Sequence, residues 1–180
     1  MTTLIPIIVI ALLAIWVISV QRNLVKREEY CTNAMSQIGV QQSSRWDLIT
    51  ALVSLVKQYS EHEYSTLTDV IAMRRNIGPN ASARDADEQE GLIGRLVGRI
   101  NALSENYPNL KADALYSSTM SNMKQYEENV RHSRMIYNDS VTRYNREVRQ
   151  MPNNIVAGMF GFRVHDYLEE DMKKRNFPTA

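Results

Sequence analysis

Cysteine is almost missing from this chain: Cys31 is the single one in 180 residues. No intramolecular disulfide can form, which suits a reducing compartment without proving one. Neither sign of charge is in excess. Twenty-one Lys and Arg stand against 20 Asp and Glu, a net charge of +1, so no broad field draws in nucleic acid or an acidic surface. No segment alternates apolar and polar residues between turn signals, so strands are not expected. The common catalytic signatures are absent too: no Gly-x-Ser-x-Gly, Walker loop or dinucleotide glycine pattern occurs. His62-Glu63 begins like a helical zinc-protease motif, but the residue four after His62 is Thr66, and that chemistry needs a second His there. His132 and His165 have no Cys or carboxylate at a spacing that makes a strong metal site. No cofactor, metal or enzymatic activity is therefore expected.

What is present begins with one long apolar run, Leu4 to Val20 (LIPIIVIALLAIWVISV). Its 17 residues span roughly 25 Å as a helix, near the short end of what crosses a bilayer. In lipid the backbone must satisfy itself, so the run can only be helical. Pro6 falls in the first turn, where its missing N–H is harmless. Trp16 lies near the trailing end, as at a membrane–water boundary. A cleaved signal peptide is the rival reading. It wants a basic leader and a small-x-small cleavage site, whereas Met1-Thr2-Thr3 precedes the run and Val20-Gln21-Arg22-Asn23 follows it. An uncleaved anchor over 1–21 is the expectation. Arg22, Lys26 and Arg27 then set the topology, placing the soluble domain in the cytoplasm; the periplasm is the alternative.

Beyond the anchor about 155 residues remain, enough for one core-bearing domain. Leu24, Cys31, Ile38, Arg45, Leu52 and Tyr59 recur every seventh residue, with Leu48, Leu55 and His62 beside them. No proline interrupts 23–76, and Gly39 is the single glycine there. Ile77-Gly78-Pro79-Asn80 ends that helical stretch, 81–87 reads as a polar connection, and a helix resumes near Glu88 to about Asn106. Gly91, Gly94 and Gly98 weaken it, as is tolerated where a neighbouring helix approaches closely. The clearest seam is Tyr116, Met120, Met123, Glu127, Val130, Arg134, Tyr137, Val141, Tyr144, Val148 and Met151, ended by Pro152. The fold class expected is all-α, an antiparallel up-and-down helical bundle over 22–162. Two threadings fit. In one the chain turns near Ser43–Arg45 and makes four helices; in the other 23–76 is one long helix packed against returning helices. In both, an even number of passes returns the C-terminal part to the membrane end.

Charges on the seams call for partners, because an unpaired buried charge costs several kcal/mol. Arg45, Asp47, Glu127 and Arg134 are expected to form one buried polar network that fixes register. The competing reading makes Glu127, Arg45 and Arg134 an enzyme or metal-binding site. Tyr137-Asn138 and Tyr144-Asn145 repeat one heptad apart and read as packing rather than a ligand site. Cys31 on the first seam reads as a small buried hydrophobe. The apolar segment 155–162, with Ile155, Val156, Met159, Phe160 and Phe162, has three readings: a cap on the bundle end, a dip into the membrane surface, or a docking patch. The remainder, 163–180, reads as a polar tail, acidic then basic, as suits a short helix or a partly ordered terminus.

These residues carry a resemblance. Asn23-Leu24-Val25, Asn33-Ala34-Met35-Ser36-Gln37-Ile38, Arg45-Trp46-Asp47-Leu48-Ile49 and His62-Glu63 are similar in order and spacing to the LemA family. So are Tyr107-Pro108-Asn109-Leu110-Lys111-Ala112, Glu127-Glu128-Asn129, Tyr137-Asn138-Asp139, Pro152-Asn153-Asn154-Ile155-Val156-Ala157 and Phe160-Gly161-Phe162. The chain departs from the pattern at Thr50-Ala51, where the family usually has Pro-Asn, and so lacks that helix-kink signal. The resemblance implies a bacterial inner-membrane protein with a helical bundle and no established enzymatic activity. Its members are associated with envelope functions and membrane proteases, and one branch with magnetosome membranes. The expected role is a helical interaction or scaffold module. Its expected partners are the lipid bilayer, other envelope proteins and further copies of itself, and no nucleic acid.

Overall fold

In a computed structural model describing residues 4–169, every regular element is helical. α1 runs without a break over Leu4–Val56, about 80 Å at 1.5 Å per residue. Its apolar beginning, of mean hydropathy 2.2, is the one stretch among the described residues long and apolar enough to cross a membrane. The same helix continues as the spine of the bundle. The Ser43-Ser44 pair does not interrupt it: Ser44 Oγ donates back to the Val40 carbonyl at 3.2 Å, and Ser43 Oγ accepts from Arg74 Nη2 at 2.9 Å. Thr50 likewise donates to the Trp46 carbonyl at 2.8 Å, and its backbone N–H keeps the helix going where a proline would have broken the ladder.

Neither threading places the first turn correctly. It falls at 57–60, after Val56, and α2 then runs back over Glu61–Ile71. Ser60 caps α2 by accepting from the Glu63 N–H at 3.3 Å, a start signal legible as Ser-x-x-Glu. The loop after α2 lies against α1, where Gly39 is needed. A Cβ there would sit 1.8 Å from the Ile77 carbonyl oxygen.

α3 covers Ala83–Asn106, five residues earlier than Glu88, because Ser82 and Asp85 form a reciprocal capping box. Gly94 and Gly98 have no close neighbour, so the helix approach expected at these glycines is not their reason. A short turn, α4 (Pro108–Lys111), buries Leu110 and leads into α5, Ala114–Arg149. Asp113 caps α5 by accepting from the N–H groups of Leu115 and Tyr116. The seam of α5 is buried at Tyr116, Met123, Val130, Tyr137, Val141 and Tyr144, while Met151 beyond its end is exposed.

α1 up, α2 down, α3 up and α5 down make an antiparallel bundle of four helices in the distal half, around Trp46, Ile49, Leu67, Leu96, Ile100 and Met123. Nearer the anchor α1 and α5 continue, packed through Cys31, Met35, Ile38, Tyr137, Val141 and Tyr144, with Ile77, Ala83, Ala86 and Leu168 in the same cluster. α6, Asn153–Phe160, closes the anchor end, and residues 162–169 turn back along the bundle without regular secondary structure.

Candidate functional site at the anchor end of the bundle

α6 is positioned by both long helices. Val156 and Ala157 are buried in a cluster with Val20 and Leu24, flanked by Trp16, Val17, Val148 and Phe162. A buried Val contributes about 1.5–3 kcal/mol to holding α6 in place. Glu147 of α5 ties the start of α6 to α1. It pairs with Arg27 at 3.2 Å and accepts from Asn153 Nδ2 at 2.7 Å. Gly161, with φ of 78°, ends the helix in the left-handed conformation.

The opposite face of α6 is apolar and open. Ile155, Met159 and Phe160 are 55%, 71% and 53% exposed, and Met151 just before the helix is exposed as well. Val156 does not belong to that surface. It is the residue that docks α6, and Phe162 is half-buried beside it. The helix that carries this open face is itself docked beside the last turn of the apolar run, between Trp16 and Leu24. Arg22 and Lys26 on α1, Arg149 at the end of α5 and Arg163 after α6 are exposed cations, whereas Arg27 is engaged by Glu147.

From Phe162 the chain returns along the groove between α1 and α5. Asn145 Nδ2 donates to the His165 carbonyl and Asn145 Oδ1 accepts the His165 N–H, both at 2.9 Å. Asn138 does the same for Leu168, at 3.2 and 3.0 Å. Two asparagines seven residues apart on a helix are about 10.5 Å apart, and three residues of extended chain cover about 10 Å. The spacings match, so one heptad repeat grips two points of an extended backbone. Tyr137 Oη donates to the Asp166 carbonyl at 3.2 Å. The Tyr-Asn repeat, read from sequence as packing, packs through its tyrosines and clamps a peptide through its asparagines. Residues 163–169, expected as the start of a polar tail that is a short helix or a partly ordered terminus, form no helix and pack here, with Leu168 buried at 2% exposure. The rest of that tail, 170–180, lies outside the described residues.

Three of the four charges expected to form one network, Arg45, Arg134 and Asp47, take separate partners. Arg45 is buried at 3% exposure, with Nη1 2.6 and 2.8 Å from the two oxygens of Glu90. Arg134 pairs with Asp87 at 2.6 Å and donates to the Glu169 carbonyl. Asp47 is exposed and pairs with Arg74 at 2.9 Å, a surface contact worth under about 1 kcal/mol. Glu127 lies half-buried on α5. The acids missed by sequence reasoning, Asp87 and Glu90, belong to the first turns of α3. Their signal was the capping box at Ser82, which makes helix of a stretch that otherwise reads as a polar connection.

Burial perturbs three groups beneath the returning segment. Desolvation, then Glu28, pushes the Cys31 thiol up to about 11. Desolvation, then Cys31, Asp166 and Asp87, raises Tyr137 to about 12. Tyr144 is raised by the same burial and by Glu28. These groups are held neutral, the reverse of an activated nucleophile. Among the described residues no group of three or more His, Cys, Asp or Glu is placed to hold a metal ion. A surface hollow of about 460 Å³ between α1 and α5 is lined by Arg27, Tyr30, Gln37, Ile136, Asp139 and Arg143, and by none of the four seam charges.

A continuous apolar-to-bundle helix, an even number of passes and a C-terminal helix docked on the first define a class of helical proteins built on one candidate membrane span. The chain belongs to the LemA family, whose model matches residues 34–180. It is also similar to magnetosome proteins MamQ 2 and MamQ 1 of Paramagnetospirillum magneticum, at 30% identity over 81 residues. MamQ of Magnetospirillum gryphiswaldense is 27% identical over a stretch of the same length. The matched stretch is 45% of this chain and 30% of each relative.

Proposed function

We propose that this chain is a non-enzymatic, single-pass membrane protein, a helical scaffold at a bacterial inner membrane, with its bundle on the cytoplasmic side and the open face of α6 resting on the bilayer. One observation carries the reading: Val156 and Ala157 dock α6 on the last turn of the apolar run. With α1 inserted, Trp16 lies only about 6 Å below Val20 along the helix axis, so α6 sits at the level where hydrocarbon meets headgroups. There Met151, Ile155, Met159 and Phe160 leave water for the interface, as the apolar face of a monotopic helix does. The exposed Arg22 and Lys26 follow the span on α1, Arg149 precedes α6 and Arg163 follows it, a set that suits the headgroup layer of an anionic leaflet. The three topology-setting cations, Arg22, Lys26 and Arg27, support the cytoplasmic side. Against an enzyme, Arg45 is sealed between helices rather than open in a cleft.

The full chain in cell membranes tests this reading. It resists extraction at alkaline pH, and release into the wash would refute the anchor. With Cys31→Ser, a cysteine at the exposed distal Ser118 reacts with an impermeant maleimide in inside-out vesicles and not in intact spheroplasts. The reverse pattern would refute the cytoplasmic placement.

A further inference from the structure

We infer that the groove between α1 and α5 is a binding site for extended peptide, filled in this structure by the chain's own residues 162–169, and that the partner it fits in trans is the same segment of a second copy.

The recognition is of main chain. Asn145 and Asn138 each make a donor–acceptor pair with one backbone residue, His165 and Leu168. At the far end the Glu169 N–H donates to Asp87 Oδ2 at 3.0 Å, and its carbonyl accepts from Arg134 Nη2 at 2.6 Å. The arrangement is strand addition carried out by helix side chains, with backbone bonds giving affinity and one pocket giving selectivity. That pocket takes Leu168. The intervening Arg163, Val164, Asp166 and Tyr167 are exposed, so most of the segment lifts away without opening the core.

Three features favour a second copy as donor in trans. The one sequence shown to fit the groove is this chain's own. α6 is fixed on α1, so every copy presents its segment and its groove at the same height along the anchor helix, and side-by-side copies need no vertical search. The link between them is Gly161, where even a Cβ would meet nothing within 4 Å, so a change of direction there meets no obstacle. Exchange of an identical element through such a hinge is a low-cost route to association.

The test uses full-length protein in two tagged forms, co-expressed and extracted in mild detergent. A donor, N138A/N145A, keeps its segment and loses the clamp; an acceptor, L168D, keeps the clamp and loses its own segment. The pair is expected to co-purify on the order of tenfold above either form with itself. A synthetic peptide of residues 162–169 reads the groove independently: it binds L168D saturably and binds the unaltered chain about tenfold more weakly, since the tethered segment competes. Thermal melts establish that each variant is folded, and Leu168→Ala with Asn145→Asp serves as a milder pair. A folded acceptor that ignores the peptide would contradict the groove. A peptide that binds while donor and acceptor stay apart would contradict exchange between copies.

Discussion

Asn138 holds Leu168 from both sides: its Nδ2 donates to the Leu168 carbonyl at 3.2 Å while its Oδ1 accepts the Leu168 N–H at 3.0 Å. The amide thereby does for the returning segment what a neighbouring β-strand does, and it fixes Leu168 over the α1–α5 core. Asn138→Ala removes both bonds, at about 0.5–1.5 kcal/mol each. Trypsin is therefore expected to cut the folded variant after Arg163 several times faster than the parent, as the segment loosens. An unchanged cleavage rate would mean that Leu168 burial alone holds the segment.

Arg45 and Glu90 form the pair whose loss costs most. Glu90→Ala leaves a guanidinium in the core without its carboxylate, an effect of about 3–5 kcal/mol for a buried pair. Glu90 is itself partly open to water, its side chain 28% exposed, so the lower end is expected in urea unfolding. Arg45→Met with Glu90→Leu restores most of the loss, because removing both charges removes the need for either. Asp47→Ala, at an exposed pair, shifts the midpoint little.

Glycines in this chain separate by what surrounds them. Gly39→Ala drives a methyl into the Ile77 carbonyl and is expected to destabilise by about 1–3 kcal/mol, the range for overpacking. Gly94→Ala adds a methyl in open space on α3 and is expected to stabilise by up to about 1 kcal/mol through helix propensity. Thermal melts of the two variants should move in opposite directions.

Those contrasts mark what was legible in the chain. Period and seam set the helical class, the buried rows of α1 and α5, and the return of 155–162 to the anchor end, because burial enforces a repeat that composition displays directly. The turn at 57–60 was missed because α1 and α2 both keep apolar residues on a helical period, and only the Ser60 cap separates them. The polar pairs were misassigned for a related reason. Arg45 advertises that it needs an acid, but which of 20 acidic residues supplies it depends on how far α3 slides along α1, and local pattern does not encode that. The clamp of Asn138 and Asn145 was visible as a repeat, but the segment it grips carries no periodicity.

Alkaline pH probes the layer under that segment. The folded chain holds Cys31 at about 11 and Tyr137 at about 12, against ordinary values of 9.0 and 10.0, with burial the main cause. In the unfolded chain these groups lose their protons first, so the folded state binds more protons and stability falls as pH rises. The contribution is intact below about pH 9 and is lost progressively towards pH 12. Urea midpoints are expected to drop between pH 8 and pH 11, and Cys31→Ser with Tyr137→Phe should flatten that slope. A midpoint constant to pH 11 in the parent would contradict the burial described.

Depth-dependent quenching at Phe160 tests whether α6 lies on the bilayer that α1 enters. In the Cys31→Ser background, a fluorophore on Phe160→Cys in reconstituted full-length protein is expected to emit in the blue and be quenched by nitroxides near the lipid glycerol level. The same label at His132, exposed on α5 away from the anchor, should emit as in water and ignore them. If the two positions behave alike, with both labels in water, α6 caps the bundle without touching lipid, contrary to the placement proposed.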